Sequence, residues 1–325
     1  MVEQLHATLI DLKTCSVLNN KNVSDKLLIS GIIILSMFLW GLSWPSGKVL
    51  THYSSAVNFA VYRYIVVVTT LFLLLFSLRI NRKISKAGIP AVIGSGVLLA
   101  VYSCLFFLGL KNGAAGEGGV LVTTLNPLMA YIIGILISRK LPSRNEAIGL
   151  ALGVAAGCFL LKVWDSSTSL FERGNVYFLL AAFTWASLSK VTSLGSKYGS
   201  SLGFSLWQYL VTLACLLPFM DYHEFASVTQ ISDGRFWWNL FFSSAIVTSL
   251  ATTVYFYATT RLGAERAGSF ILLVPLAAAV SAWLLLGELI QMHTAIGGVL
   301  GMGAVYMINR RGRRSDVNAD AVAVG

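Results

Sequence analysis

Arg63 is the residue best suited to bind an anionic small molecule, because it is the only charge well inside a strongly apolar stretch of the sequence. An ionised side chain at the centre of a bilayer costs about 2.5 to 3.5 kcal/mol on insertion scales, so it should face protein or water. A guanidinium in such a place can bind a carboxylate or a phosphate. The alternatives are a structural ion pair, for example with Glu117, and snorkelling toward the interface.

Tryptophan and polar side chains in other apolar stretches suit the remainder of such a site. Trp40 and Trp185 lie away from the membrane interfaces, where tryptophan usually concentrates, and Trp44 shares the helical face of Trp40 one turn later. We expect these indoles to form the apolar wall of a central cavity, with plain helix packing as the alternative. The other predicted substrate-binding residues are Asn126, Gln208, Tyr102 and Tyr255.

Three prolines inside apolar stretches predict hinges. In the run WGLSWPSGK (residues 40–48), Pro45 lacks a donor and frees the carbonyl of Gly41 four residues earlier. Pro127 and Pro275 do the same in two later stretches. A freed carbonyl in a bilayer must find water, a neighbouring helix or a ligand. Gly41, Pro45, Pro127 and Pro275 are therefore predicted gating positions, and improved helix packing is the alternative.

These residues belong to a chain whose composition suits a bilayer. Of its 325 residues, 56% are hydrophobic and 12% are charged, far from globular averages. Helices are the only credible spanning element, because alternating ten-residue strands are absent. The predicted fold class is an all-α membrane protein with ten transmembrane helices, near residues 27–48, 57–78, 89–110, 115–138, 146–163, 174–192, 202–220, 236–258, 265–287 and 292–309.

The basic residues predict an orientation. With the amino terminus in the cytosol, 18 of the 24 Lys and Arg residues fall on the cytosolic side, as the positive-inside rule requires. Residues 1–26 are then a cytosolic tail that lacks the layout of a signal peptide, and residues 311–325 are a basic cytosolic tail beside anionic headgroups. The basic clusters form no single face for nucleic acid. We expect a multi-pass protein of the inner or plasma membrane with lipid, and no nucleic acid, as a partner.

The ten stretches form two sets of five. A shift of 145 residues places Trp40 on Trp185, Arg63 on Gln208 and Tyr64 on Tyr209, and a shift of 148 places Glu117 on Glu265 and Pro127 on Pro275. Because five is an odd number, the second repeat (residues 174–310) must enter the membrane from the side opposite to the first (residues 27–165). Inverted repeats place a substrate site near the midplane between the halves, which predicts a transporter of a small molecule.

Two segments also resemble a known family. The run WGLSWPSGK followed by Arg63 looks like the first-half pattern of the EamA family of the drug/metabolite transporter superfamily, and RLGAERAGSFILLVPLAAAVSAWLLLGE (residues 261–288) looks like its second-half pattern. The resemblance covers about residues 27–310. It implies ten helices in two inverted repeats that move small metabolites, often amino acids, usually outward. The chain departs from the family in having HYSSA (residues 52–56) without a proline, and in having Pro45.

The acidic residues, histidines and cysteines bear on coupling and on enzyme activity. Glu117 and Glu265 begin their helices, where stabilisation by the helix dipole is the simplest interpretation and a role in ion coupling is the alternative. No Asp or Glu lies in the middle of a stretch, and the four histidines fall in tails, loops or stretch ends, which excludes intramembrane aspartyl and serine proteases. The four cysteines lack CxxC spacing. We expect no enzyme activity, no metal and no cofactor.

Glycine stripes predict close helix contacts. Gly149, Gly153 and Gly157 recur every four residues in the fifth stretch, and Gly297 and Gly301 repeat the spacing in the tenth. The contact could join the two halves or two copies in a homodimer. The sequence as a whole predicts an exporter, facilitator or exchanger of amino acids or related carboxylates that works by alternating access. A channel-like pore and a non-transporting assembly protein are the alternatives.

Overall fold

The structure, a computed structural model, describes residues 28–139, 141–165, 172–193, 197–255 and 270–309. Within these ranges the chain is helical, and its extended pairing is limited to one bridge between Ile84 and Gly199. The all-α prediction is confirmed for this part of the chain. The predicted tails and Glu265 lie outside the described residues.

Eleven helices are described, and most begin and end close to the predicted stretches. A 10-residue π-helix, Phe242–Ala251, continues α9 directly, and the chain stays helical to residue 255. The helices are α1 (Leu28–Leu50), α2 (Ala56–Ser77), α3 (Ile89–Asn112), α4 (Ala115–Ser138), α5 (Arg144–Leu160), α6 (Arg173–Thr192), α7 (Ser201–Leu216), α8 (Tyr222–Ser227), α9 (Gly234–Phe241), α10 (Leu273–Leu286) and α11 (Met292–Asn309).

Local sequence signals set several of the helix ends. The Ser55 side chain accepts a hydrogen bond from the Asn58 backbone N–H at the start of α2, and the Asp233 side chain accepts one from the Arg235 N–H at the start of α9. Such caps satisfy donors that a helix leaves free in its first turn. Gly287 ends α10 at φ 69°, a left-handed conformation that glycine adopts without a Cβ clash.

The helices suit a lipid environment. Five of them, α1, α2, α4, α3 with its preceding turn and α7 with its following turn, are long and apolar enough to cross a bilayer, and two shorter apolar helices span Phe270–Leu286 and Met292–Ile308. Large apolar side chains point outward from the bundle. Phe76, Leu136 and Ile137, for example, are 66%, 70% and 73% exposed. Because water would solvate such a surface poorly, the protein is embedded in a membrane.

The helix contacts bring the two parts of the chain together. α3 packs against α6 and α7, α4 packs against α6, α10 and α11, α2 packs against α7 and the π-helix, and α5 packs against α11. Phe178 of α6 lies at the centre and is 1% exposed. A Cβ added at Gly109 or Gly118 would come within 2.5 Å of its ring, so these two glycines allow α3 and α4 to close around it.

The loops collect at two ends of the bundle, which we name by their charge. The acidic end holds residues 51–55, 113–117, 221–236 and 287–293, and the basic end holds residues 78–88 and 197–203. At the basic end the Ser85 N–H donates to the Tyr198 carbonyl over 2.9 Å, and the Trp207 indole donates to the Arg82 carbonyl over 2.8 Å. Loops from the two halves are therefore paired at this end.

The predicted glycine stripes are used inside the chain. A Cβ at Gly149 would lie 3.0 Å from the Ala304 carbonyl oxygen, and one at Gly297 would lie 3.1 Å from that of Ala156, so the stripes bring α5 and α11 together. Gly301 faces Thr124 of α4. The predicted homodimer is a separate matter and stays a prediction.

Candidate functional site

Arg63 lies in α2 and reaches across to the π-helix. Its Nη2 donates to Thr248 Oγ1 over 2.8 Å, while its Nε is buried without a hydrogen-bond partner. No Asp or Glu in the part of the chain that the structure describes has a carboxylate oxygen within 4.0 Å of the guanidinium, and Glu117 contacts His293 instead. The alternative of an Arg63–Glu117 pair is therefore wrong. A buried donor without an acceptor costs free energy, so this site is suited to receive an anion.

Aromatic rings surround the guanidinium. Its Cζ lies 5.6 Å from the centroid of Phe106 and 6.0 Å from that of Phe107, within the range of cation–π attraction. Tyr64 is buried beside it, and its hydroxyl forms a hydrogen bond with Ser103 Oγ over 2.8 Å. Tyr64 also packs against Tyr209, with ring centroids 5.8 Å apart. The cation thus has an apolar, aromatic surrounding that strengthens its attraction for a bound anion.

The π-helix presents Thr248 to Arg63, which the sequence reasoning missed. Thr248, Ser249 and Thr252 each donate their hydroxyl to the carbonyl five residues earlier, at 2.8, 3.2 and 3.5 Å. Such i to i−5 bonds fit the wider π turn. π-helical turns are rare and often lie at functional sites. The available signal was the density of hydroxyl residues in the run SSAIVTSLATTV (243–254).

Two predicted tryptophans each face a predicted tyrosine. The indole of Trp185 in α6 packs on Tyr102 in α3 with centroids 4.6 Å apart. The indole of Trp40 in α1 packs on Tyr255, which follows the π-helix, with centroids 5.3 Å apart. All four side chains are half-buried. Tyr102 also contacts Phe106 at 5.9 Å, which joins the Trp185 pair to the rings around Arg63.

Trp44 has a different environment. It is 3% exposed and packs against Phe106 and Phe178, with centroids 4.9 and 6.0 Å away. A Cβ at Gly119 would lie 3.1 Å from the indole, so α4 approaches Trp44 closely. Trp44 therefore packs against Phe106 and belongs to the packed interior.

The two predicted amide side chains, those of Gln208 and Asn126, have different environments. Gln208 in α7 is 6% exposed, and its Oε1 accepts from Thr192 Oγ1 over 3.3 Å. It precedes Tyr209, so it lies beside the Tyr64–Tyr209 pair. Asn126 is half-buried in α4, and none of the described side-chain hydrogen bonds joins it to Arg63. The structure thus places Gln208 next to the Tyr64–Tyr209 pair, while none of the described contacts joins Asn126 to Arg63.

The predicted gating residues lie in continuous helices. α1 runs through Pro45 and α4 runs through Pro127 without interruption, while Pro275 follows the 3₁₀ turn Phe270–Leu272 at the start of α10. Gly41 lies against α10, where an added Cβ would come 2.4 Å from the Cβ of Ala277. The Oγ of Ser281 lies 3.5 Å from the Gly41 carbonyl oxygen, so a neighbouring helix meets the carbonyl that Pro45 frees.

The acidic end holds a set of charged contacts around the start of α4. Glu117 lies in the first turn of α4 as predicted, and its Oε1 is 3.6 Å from His293 Nε2. The acid that caps α4 is instead Glu288, whose Oε1 and Oε2 accept from the Ala115 and Gly116 N–H groups over 2.9 and 2.8 Å. Lys48 donates to the carbonyls of Leu110 and Gly113, which ties α1 to the end of α3.

A cavity of about 290 Å³ lies toward the opposite end. It is formed by α4, α6 and α11, and its lining residues are Pro127, Ala130, Tyr131, Lys190, Val305 and Ile308. A Cβ at Gly116 would lie 3.1 Å from that of Ala282, and one at Gly119 would lie 2.5 Å from that of Ala278. Both contacts with α10 lie in the acidic-end half of α4. α4 and α10 are therefore in close contact at the acidic end, and the 290 Å³ cavity lies in the half that leads to the basic end.

The apolar bundle, its lipid-facing surface and a partly buried cation among aromatic rings define a multi-pass membrane protein with an internal polar site. The chain belongs to the EamA-like transporter family, whose model matches residues 28–162 and again residues 172–310. The resemblance noted from the sequence is confirmed. No enzymatic activity is expected of a member of a transporter family.

Relatives and a solved structure agree with this assignment. The chain is 24% identical over 281 residues to an uncharacterized transporter, YoaV, of Bacillus subtilis, covering 85% of this chain and 94% of the relative. It is 23% identical over 286 residues to a probable amino-acid metabolite efflux pump of Salmonella typhimurium, covering 85% and 93%. A crystal structure with 16% identity matches with a TM-score of 0.58 over 90% of this chain and 98% of that chain, which supports the fold alone.

Proposed function

We propose that the protein carries amino acids or related carboxylate-bearing metabolites across the inner or plasma membrane, outward or in exchange, by alternating access around Arg63. The observation that carries the proposal is the state of Arg63 itself. It is a partly buried cation with aromatic neighbours and one hydroxyl partner, and its Nε is left without a partner. A carboxylate would supply the missing acceptor and neutralise the charge.

The proposed architecture is ten spans in two inverted repeats. The spans are α1 to α5 in the first repeat and α6, α7, α9 with the π-helix, α10 and α11 in the second. Two family matches in one chain support this division. The helix contacts support it too. Exchanging the two repeats leaves the α2–α7, α4–α10 and α5–α11 contacts unchanged, and it converts the α3–α7 contact into the contact between α2 and the π-helix.

Residue contacts follow the same exchange. Trp185 and Trp40, matched in the sequence, each pack on a tyrosine, of the third and of the eighth span. Tyr64 and Tyr209, also matched, touch each other, as residues on a pseudo-two-fold axis do. Arg63 breaks the symmetry because its counterpart is Gln208. A site with one cation on one side of such an axis suits a substrate with one anionic group.

The proposed orientation puts the basic end in the cytosol, in line with the positive-inside rule. With the acidic end closed and the 290 Å³ cavity toward the basic end, the conformation is then one that loads from the cytosol. Outward transport is the direction that this arrangement supports. The relative from Salmonella typhimurium is named as a probable amino-acid metabolite efflux pump, which agrees with that direction.

The test is counterflow of radiolabelled amino acids in proteoliposomes, without an imposed ion gradient. Wild type should accumulate label transiently when unlabelled amino acid is loaded inside, because only a carrier exchanges one molecule for another, whereas a pore merely equilibrates them. Arg63→Gln should abolish this uptake. Arg235→Gln at the acidic end is the matched control and should leave it intact. Equilibration without transient accumulation would favour the channel-like alternative.

A further inference from the structure

The cavity toward the basic end contains a cation that the candidate site around Arg63 does not use. Its walls are mostly apolar, from Pro127 and Ala130 of α4 and Val305 and Ile308 of α11. Among the described residues that line it, Lys190 alone is charged, and it lies in the last turn of α6. An apolar cavity with one charged group at its edge is the usual form of a site for a small amphipathic molecule.

Lys190 is an exposed residue, and its ammonium lies over α4 beside Gly134. No Asp or Glu of the described residues has a carboxylate oxygen within 4.0 Å of the ammonium. A Cβ built at Gly134 would lie 3.0 Å from Lys190 Nζ. Glycine at position 134 therefore leaves the space that the ammonium occupies beside the cavity.

The cavity is also close to the candidate site along two helices. Lys190 follows Trp185 by five residues in α6, about 7.5 Å at 1.5 Å per residue. Pro127, in the cavity wall, directly follows the predicted Asn126 in α4. A solute leaving the cavity toward the middle of the bundle would thus meet the residues of the candidate site next.

We propose that Lys190 and this cavity form a second anion-binding subsite, at which an amphipathic carboxylate from the cytosol binds before it reaches Arg63. The apolar part of the solute packs on Pro127, Ala130 and Val305, and its carboxylate pairs with Lys190. The proposal rests on the proposed transport function. The volume of about 290 Å³ lies just below the roughly 300–1,000 Å³ range of small-molecule sites, which suits one small solute better than the acyl chains of a lipid.

A labelling experiment tests the subsite without relying on transport. Purified full-length protein in phosphatidylcholine vesicles is treated with an amine-reactive reagent, and modification of Lys190 is followed by mass spectrometry. Benzoate should slow the modification of Lys190 several-fold, and benzamide, which has the same shape without the charge, should not. Lys197, in the basic-end loop, is the internal control and should react equally in all samples. Protection should persist in Arg63→Gln.

A second pair of variants tests the position of the ammonium. Gly134→Ala keeps every charge but crowds Lys190 Nζ, which can move because it is the far end of a flexible side chain. It should weaken the benzoate protection, while Gly303→Ala, where an added Cβ meets no atom within 4 Å, should not. In counterflow, Lys190→Gln should raise the half-saturating concentration on the basic side roughly five- to tenfold, and Lys197→Gln should leave it unchanged.

The outcomes separate this proposal from the transport function. Counterflow that depends on Arg63, without benzoate protection of Lys190, would overturn the subsite and leave the transporter intact. Protection without any counterflow would support the subsite and overturn the transport function. If vesicles containing phosphatidylglycerol protect Lys190 in the absence of benzoate and benzoate adds nothing, the anion is a lipid headgroup and the solute subsite is overturned.

Discussion

Arg63 and Thr248 are joined by a hydrogen bond of 2.8 Å although they are 185 residues apart in the chain. The bond links α2 of the first half to the π-helix of the second. Since the hydroxyl of Thr248 also donates to the Ser243 carbonyl over 2.8 Å, its lone pairs are directed by the π turn toward the guanidinium. The geometry of the cation is therefore set by both halves of the protein.

Replacing Thr248 should disturb substrate binding through Arg63. Thr248→Val removes the acceptor and keeps the shape, so the guanidinium loses its one described side-chain partner. A hydrogen bond to a charged group is worth about 1.5–3 kcal/mol, and we expect the half-saturating concentration in counterflow to rise roughly tenfold or more. Thr253→Val is the matched control, because Thr253 donates to its own helix at Ser249. Equal effects of the two variants would contradict the role of Thr248.

The tryptophan–tyrosine pairs should contribute similarly from the two halves. Aromatic pairs contribute about 0.5–1.5 kcal/mol beyond the area that they bury. Trp185→Ala and Trp40→Ala should each raise the half-saturating concentration severalfold in the same assay. Trp283 in α10 is 49% exposed, and Trp283→Ala should leave substrate affinity unchanged. An effect of one pair alone would show that the site is built on one half.

The sequence predicted the helices well because their signal is local. A stretch of 17–25 apolar residues needs no partner to be recognised, and α4 was predicted at 115–138, the range that the structure has. α2 differs from its predicted range of 57–78 by one residue at each end. The π-helix within the predicted eighth stretch was missed, because a π turn leaves no distinct hydrophobic period in the sequence.

The contacts at the acidic end were harder to predict, because they join residues that are far apart in the sequence. Glu117 was recognised at the start of α4, but the acid that caps the helix, Glu288, comes from a loop 172 residues away. Lys48 donates to the carbonyl of Gly113 at the end of α3, 65 residues away. Composition and spacing carry no information on such pairings, which depend on how the helices pack.

Gly301 should be intolerant of any side chain. A Cβ at this position would lie 1.8 Å from Thr124 Cγ2, so α11 would have to move away from α4. Overpacking in a tight interior typically costs about 1–3 kcal/mol, and Gly301→Ala should lower the unfolding midpoint in a detergent titration. Gly303→Ala in the same helix, where the added Cβ meets no atom within 4 Å, should be neutral or slightly stabilising. A neutral Gly301→Ala would contradict the close α4–α11 contact.

The acidic end should loosen at low pH through Tyr53 and Asp233. The Tyr53 hydroxyl donates to Asp233 Oδ2, and this bond, helped by the Arg235 N–H, holds the pKa of Asp233 below its ordinary value of 3.8. A carboxyl whose pKa is lower in the folded than in the unfolded state stabilises the fold at pH values above its unfolded pKa. This stabilisation is lost as the pH falls through its folded pKa. The protection factors of amide exchange in residues 221–236, which are corrected for the intrinsic pH dependence of exchange, should therefore fall below pH 3.8.

The same bond raises the pKa of Tyr53 above its ordinary value of 10.0, so its contribution should be lost again in strong alkali. Tyr53→Phe keeps the ring contact with Phe236, at 5.4 Å, and removes only the hydroxyl. It should flatten the pH dependence of the protection factors below pH 3.8. Tyr222→Phe is the control, because Tyr222 is 65% exposed in the same loop. An unchanged pH profile in Tyr53→Phe would refute the link.

Glu288 should hold the acidic end closed. Its carboxylate joins the loop after α10 to the first N–H groups of α4, so the two halves separate at this end only if both hydrogen bonds break. The positive end of the α4 dipole strengthens them further. Glu288→Ala should therefore favour opening, and a cysteine at Ala279, which lines the gap beside Gly116, should react faster with an impermeant maleimide from the acidic side. The four native cysteines are replaced beforehand.

Glu172 provides the matched control, because it begins α6 without a side-chain capping bond. Glu172→Ala removes a carboxylate from a helix start, as Glu288→Ala does, and should leave the labelling rate at position 279 unchanged. Glu288→Gln keeps one acceptor oxygen and should lie between wild type and alanine. If all three variants label at the wild-type rate while counterflow continues, the acidic end opens without breaking the Glu288 contact, and closure must depend on the apolar contact between Gly119 and Ala278.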